Sequence, residues 1–153
     1  MNTLEEYIEK EKKKRAEERQ LEQNENLKLY SELAQFMKDY NELYNNVIRK
    51  TIDTAINTIK KSSFANAYYK QQVMKKSYGG NFATMSIYSE GITIQLDIAV
   101  DENAKEVVFY CNTEIEALQD KVKAFEERVS ALNIITKEFI DKKIIGLFEL
   151  INY

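Results

Sequence analysis

The chain has 153 residues, of which 44% are hydrophobic and 31% charged, and its formal net charge is −3 at pH 7. It has no histidine, which excludes Ser-His-Asp and Cys-His nucleophile pairs and removes the commonest transition-metal ligand. No apolar run approaches the roughly 20 residues of a membrane-spanning helix, and the charged N-terminus is unlike a secretory signal. We therefore expect a cytoplasmic protein with no membrane contact, no metal and no cofactor.

The first predicted element is a helix that begins at Thr3, because Thr3-Leu4-Glu5-Glu6 has the pattern of a capping box. Residues 9–26 hold almost no apolar side chain, so a helix there could not bury a face. Residues 1–26 carry 8 acidic and 6 basic side chains, which argues against a polybasic nucleic-acid arm. We expect these residues to form a charged helical extension, either ordered or mobile.

The next segment has apolar residues at steps of three and four, which place them on one face of a helix. The stripe drifts by one position after Val47 and contains Leu27, Tyr30, Leu33, Met37, Tyr40, Tyr44, Val47, Ile48, Ile52, Ala55, Ile56 and Ile59. This pattern predicts a long amphipathic helix over residues 27–61, either continuous with the first helix or paired with it.

Alternating apolar and polar residues then predict a sheet over residues 66–112. The strongest strand is GITIQLDIAV, residues 91–100, with its isoleucines on one face. A strand in EVVFYC follows the turn DENAK, another strand precedes Gly91, and a weaker one lies around residues 67–78. The short turns between them predict an antiparallel meander of three or four strands.

The stretch KKSYGGNF, residues 75–82, suits either a phosphate loop or a hairpin turn. A P-loop or a dinucleotide-binding loop needs a helix start after its glycines. Gly79 and Gly80 have strand-like patterning on both sides and no helix start after them. Because glycine pairs accept the positive φ angles of tight turns, we predict a hairpin at this point.

A second capping box, Thr113 to Glu116, predicts a last helix over residues 114–151, with Gly146 ending or kinking it. The fold class is thus α+β, with a long N-terminal helix or helix pair, the meander and a long C-terminal helix, and residues 27–153 form a single domain. The helices are predicted to be partly coiled-coil, because the last one begins with a heptad seam of Ile115, Leu118, Val122, Phe125, Val129 and Leu132.

A helix of about 40 residues is roughly 60 Å long, whereas a small meander spans on the order of 20–30 Å. An overhanging apolar stripe needs a partner, so we expect a homodimer or a larger oligomer. The predicted surface for self-association or for binding a protein partner is the apolar tail, through Phe139, Ile140, Ile144, Phe148 and Ile151.

The middle of the chain is basic although the whole protein is acidic. Residues 49–78 carry seven basic side chains against Asp53 alone. Such a segment with interleaved tyrosines suits binding of a nucleic acid or a nucleotide, although the same lysines also suit a solvated helix side and a strand edge. The candidate anion-binding residues are Arg49, Lys50, Lys60, Lys61, Lys70, Lys75, Lys76 and Tyr78.

Two further features of the sequence bear on catalysis. Asp97 lies on the polar face of its strand, near Tyr88, Glu90 and Tyr110, where a tyrosine–carboxylate pair could perform acid–base work but more often forms a surface hydrogen bond. Cys111, the single cysteine, allows no intrachain disulfide and ends an apolar strand, which predicts a core residue rather than a nucleophile. We therefore predict no catalytic residues and no enzyme.

The function that these features favour is a non-enzymatic, oligomeric protein-binding module, such as an adaptor, a chaperone-like subunit or a small inhibitor. Lysine outnumbers arginine by 18 to 4, a usage that suggests an AT-rich genome. Small accessory proteins of low-GC bacteria and their phages have this composition. The most specific form of the prediction is a phage or mobile-element protein that blocks a host or defence protein. The alternative is nucleic-acid or nucleotide binding through residues 49–78.

Overall fold

The computed structural model describes residues 3–63, 65–73 and 81–151, and it is α+β as predicted. The helices are α1 (Thr3–Leu43), α2 (Arg49–Lys61), α3 (Gln119–Phe125) and α4 (Lys137–Ile151), with a π-helical segment, Tyr44–Ile48, between α1 and α2. The strands are β1 (Asn66–Val73), β2 (Asn81–Ser89), β3 (Ile92–Asp101), β4 (Glu106–Asn112) and β5 (Glu127–Val129). The chain divides into two compact units, Met1–Gln35 and Phe36–Tyr153.

The first unit is helical throughout its described residues, 3–35, and none of these residues is buried. Its ion pairs, such as Lys12 with Glu9 at 4.0 Å and Arg15 with Glu11 at 3.9 Å, are largely solvent-exposed and each contributes little to stability. The predicted boundary after residue 26 lies nine residues before the division at Gln35. Across the described ranges, no helix is both long and apolar enough to cross a bilayer.

In the second unit, the predicted apolar stripe lines the core, and its drift coincides with the π-helical segment. The N–H of Arg49 donates to the carbonyl oxygen of Tyr44, a bond one residue wider than in an α-helix. The extra residue rotates the following turn, so that Tyr44, Ile48 and Ile52 all remain fully buried. The stripe therefore changes register through a local π turn rather than through slow drift along a straight helix.

The sheet is an antiparallel meander in the order β1-β2-β3-β4-β5, which confirms the predicted topology and adds one strand. Glu90 and Gly91 join β2 to β3 with φ angles of 51° and 80°, which is the signature of a type I′ turn. Strands β1 and β2 pair as far as Val73 and Asn81, so they are hairpin neighbours. The predicted glycine turn between them lies outside the described residues, and β2 rather than a helix follows it.

One face of the sheet packs against the helices and forms the core. In successive rows it carries Ile87 beside Ile94, and Leu96 beside Cys111, all of which are buried. The predicted core position of Cys111 is thus confirmed. The opposite face exposes Tyr68 and other side chains to solvent, as expected for an antiparallel sheet that is covered on one side.

The prediction of one helix over residues 114–151 is wrong in its first half. That stretch forms a 3₁₀ turn, the short α3, strand β5 and a second 3₁₀ turn before α4 begins. Thr113 does not start an α-helix. Its hydroxyl donates to the carbonyl oxygen of Thr93 at 3.1 Å and accepts the N–H of Ile115 at 3.3 Å, which holds the end of β4 in a local turn. Val129 pairs with Val107 at the sheet edge, so pairing with a preformed strand overrides the helical heptad pattern.

The α3–β5 segment is held against α4 by Lys143. Its ammonium group pairs with Glu127 at 2.6 Å and lies 4.9 Å from the ring centroid of Phe125, which favours the cation electrostatically. Gly146 does not end α4, which continues to Ile151. A Cβ at that position would lie 3.2 Å from Phe125, so glycine allows the close approach of the ring to the helix.

Candidate functional site

The predicted association tail is largely part of the second unit's own core. Ile140 and Ile144 are buried, and the ring of Phe139 packs edge-to-face on Phe109 with centroids 5.1 Å apart. Phe148 and Ile151 are partly buried. These five side chains therefore do not form one exposed apolar patch. The length argument for an overhang also fails, since α4 has 15 residues.

Exposed apolar side chains concentrate instead in the first unit. Seven of the eleven exposed large hydrophobic residues in the described ranges belong to it: Leu4, Tyr7, Ile8, Leu21, Leu27, Leu29 and Tyr30. Sequence reasoning assigned Leu27 and Tyr30 to the face that meets the core, but they are 65% and 58% exposed. The sequence signal for apolar surface in this unit is the i, i+3, i+4 spacing of Leu4, Tyr7 and Ile8, which places them on one helix face.

Six of these seven residues form two groups at the two ends of a charged stretch, and Leu21 lies within that stretch. The first group lies within residues 4–8 and the second within residues 27–30. The 19 residues from Ile8 to Leu27 separate the groups by about 28 Å along the helix. A helix that buries none of its own side chains has little to stabilise it in water besides propensity and charge pairs, so a partner that covers these groups would stabilise it.

The basic segment is placed by the structure only in part. Arg49, Lys50, Lys60 and Lys61 lie on α2, all are exposed, and none of the four forms an ion pair within the described ranges. Asp53 lies on the same helix and is also exposed. Lys70 belongs to β1, while Lys75, Lys76 and Tyr78 lie outside the described residues.

Asp97 is part of a hydrogen-bonded row across the open face of the sheet. It is only 3% exposed, and its Oδ1 accepts bonds from Thr84 Oγ1 at 2.8 Å and Gln95 Nε2 at 3.1 Å. Tyr110 faces Asp97 in the neighbouring strand, and both burial and the aspartate charge raise the pKa of this tyrosine. Glu90 lies apart, in the exposed β2–β3 turn. The row resembles a structural network more than an acid–base pair.

Three tyrosines connect the helical layer to β1 beneath the sheet. The rings of Tyr40 and Tyr44 are tilted by 51° with centroids 6.1 Å apart, and the hydroxyl of Tyr44 is hydrogen-bonded to that of Tyr69. Burial, reinforced by Tyr69, raises the pKa of Tyr40 well above its usual value. Burial likewise raises the pKa of Cys111 to about 11, so its thiol is protonated and unreactive at neutral pH.

An open groove of about 480 Å³ has the π-helical segment and α2 on one side and the start of α4 on the other. Its lining is largely apolar, with Val47 and Ile135 among the residues, while Lys50 and Lys137 are its charged members. Thr136 caps α4 at this groove, because its Oγ1 accepts the N–H of Phe139 at 3.2 Å. Across the described residues, no group of three or more His, Cys, Asp or Glu side chains could hold a metal ion.

Comparisons with known proteins give no match: neither a family model, nor a curated protein, nor a solved structure is similar to this chain at a significant level. The functional argument therefore rests on the chain's own surfaces.

Proposed function

We propose that this chain is a non-enzymatic protein-binding module and that it binds through the helix of its first unit. The observation that carries the proposal is the concentration of exposed large hydrophobic side chains there, seven of eleven within residues 4–30. Exposed apolar groups arranged along a helix are typical of segments that lie in a partner's groove or pair with another helix. The adaptor and small-inhibitor functions are specific forms of this proposal, and the phage origin rests on composition alone.

Site-specific photo-crosslinking in the source cell tests the proposal. A photoreactive phenylalanine analogue replaces Tyr30 in one variant and Tyr68, on the open face of the sheet, in a matched control. The two tyrosines are similarly exposed, at 58% and 54%, so they differ in location rather than accessibility. We expect a discrete protein adduct from position 30 and none from position 68. Equal adducts from both positions, or none from either, would contradict binding through the first unit.

The second candidate function is binding of a nucleic acid or a nucleotide through α2. It is favoured by the four exposed cations of that helix, because each is available to a phosphate group. We expect Lys60→Glu with Lys61→Glu to abolish any binding of labelled DNA, RNA or cyclic nucleotide at low salt. Lys142→Glu, an exposed charge reversal on α4, is the control. No binding by the unmodified chain at low salt would remove this candidate.

A further inference from the structure

The charges of the first unit are separated along its helix into a basic block and an acidic block. Residues 10–15 carry five basic side chains against Glu11, a net charge of +4. Residues 17–25 carry four glutamates against Arg19, a net charge of −3. All these side chains lie on one continuous helix and are exposed, except for a partly exposed Glu11. The basic block and the acidic block are therefore both available to a partner.

The order of the four segments is symmetric about the centre of the helix. The apolar groups within residues 4–8 and residues 27–30 lie at equal distances from about residue 17, and the two charged blocks have their midpoint at about the same residue. A second identical helix laid antiparallel and centred there would bring each basic block opposite an acidic block. The same register would bring each apolar group opposite the apolar group at the other end.

We propose that the first unit pairs with the first unit of a second copy, antiparallel and centred near residue 17. This inference rests on the proposed function and names the partner as a second copy of the chain. A parallel pair would place net +4 against net +4 and net −3 against net −3, which is unfavourable for charges on neighbouring helices. The antiparallel pair brings the apolar groups to the same level along the axis and places opposite charges against each other, and opposite charges then select the orientation.

The mass of the full chain in solution is the first measurement. We expect a dimer of twice 17.9 kDa at micromolar to hundred-micromolar concentrations, and a dissociation constant that rises with salt because the charges are exposed. A chain that stays monomeric at about 100 µM overturns the pairing. The proposed function survives that outcome if position 30 still crosslinks to a different protein, so the two failures are distinguishable.

Charge reversal tests whether the basic block of one copy faces the acidic block of the other. The acidic variant carries Lys12→Glu, Lys13→Glu and Lys14→Glu, and the basic variant carries Glu17→Lys, Glu18→Lys and Glu22→Lys. Each variant alone is expected to dimerise at least tenfold more weakly than the unmodified chain. Its two charged blocks now have the same sign, so they repel the blocks of the second copy. A mixture of the two is expected to form a heterodimer. Unchanged dimerisation of either variant alone would overturn the charge pairing.

Spin-label distances decide the orientation. Labels at Glu6→Cys, in a Cys111→Ser background, should lie about 33 Å apart across an antiparallel pair, since each lies about eleven residues from the centre. Labels at Glu17→Cys should lie about 10 Å apart, close to the spacing of packed helices. A short distance at position 6 would show a parallel pair and overturn the inference. Circular dichroism of each variant checks that the helix remains formed.

Discussion

Helix α4 and the helix of the first unit both carry large apolar side chains, yet they differ in how far those side chains are buried. In α4, Ile140, Ile144 and Leu147 are buried by the second unit itself. In the first unit, Leu27 and Tyr30 are more than half exposed. An apolar stripe in a sequence thus predicts that one face of a helix is buried. Whether elements of the same chain bury it depends on the tertiary neighbours.

The neighbours of α4 include strand β3, helix α2 and the π-helical segment, together with Phe125 of α3. Phe139 meets Phe109 of β4, and Lys143 pairs with Glu127 at the sheet edge. The second of these contacts needs β5, which exists only because the predicted long helix is broken. The side chains expected to bind a partner are therefore largely buried in the second unit, and most of the exposed large apolar residues lie in the first unit.

The strongest test of this contrast is a pair of truncations on α4. Ile140→Ala should lower the free energy of unfolding by about 2–5 kcal/mol, because it removes buried methyl groups and leaves a cavity. Ile145→Ala should change it by less than about 0.5 kcal/mol, because that side chain is 54% exposed. Urea unfolding followed by circular dichroism measures both. Equal losses would mean that α4 does not have one buried and one exposed face.

Alkaline pH offers a test that acts on buried groups of the second unit. Burial raises the pKa of Cys111 from 9.0 to about 11, so the folded state holds the thiol proton more tightly than the unfolded state. Stability from this group is complete below pH 9 and falls as pH rises from 9 to 11, by about 2–3 kcal/mol. Tyr40 and Tyr69 extend the decline above pH 10, since burial raises their pKa values also.

Urea unfolding at pH 7, 9 and 10 measures this decline. Cys111→Ala is the control, since it is expected to remove the loss between pH 9 and 10 whatever its effect at pH 7. A decline of the same size in that variant would assign the alkaline sensitivity to other groups. Slow reaction of the unmodified thiol with a disulfide reagent in the folded protein would agree with its burial.

The hydrogen-bonded row on the open face of the sheet should give a smaller effect. Thr84→Val keeps the shape of the side chain but removes a hydrogen bond to a buried carboxylate, at a cost of about 1–3 kcal/mol. Thr93→Val is the matched control, because Thr93 projects from the same face and is exposed. Thermal or urea unfolding of both variants measures the difference. Equal stability of the two would show that Asp97 does not depend on Thr84.

The sequence predicted the α+β class and the meander because these depend on local periodicity. The i, i+3, i+4 stripe from Met37 onwards and the alternation in β3 are properties of single segments. It could not predict β5, since residues 115–132 carry a helical heptad pattern and become partly a strand only by pairing with β4. The sequence likewise did not predict that Ile140 and Ile144 are buried, because their burial depends on the break in the expected long helix.

The candidate site was predicted less well than the fold. The C-terminal tail was the predicted association surface because many of its residues are apolar. The first unit, by contrast, has few apolar residues and many charged ones. Density is a poor guide here, because dense segments are the ones that a core recruits. The arrangement of the sparse residues, with apolar ends and opposite charge blocks between them, was already present in the sequence.

The smallest expected effect on stability belongs to the first unit. Leu27→Ala with Tyr30→Ala should change the free energy of unfolding of the second unit by less than about 0.5 kcal/mol, because both side chains are largely exposed. The measurement is urea unfolding at a protein concentration where the chain is monomeric, since association would otherwise add to the apparent stability. Met37→Ala, on the same helix but 2% exposed, should cost about 2–5 kcal/mol.

The double variant separates the two explanations for an apolar residue on this helix. If Leu27 and Tyr30 served the fold, their removal would resemble the loss at Met37, and the proposal of partner binding would lose its basis. If they serve association, the unfolding curve stays in place while the dimer or the position-30 crosslink weakens. Because a surface that binds a partner is exposed in the free protein, little effect on folding together with a large effect on association is the pattern that distinguishes it from a core.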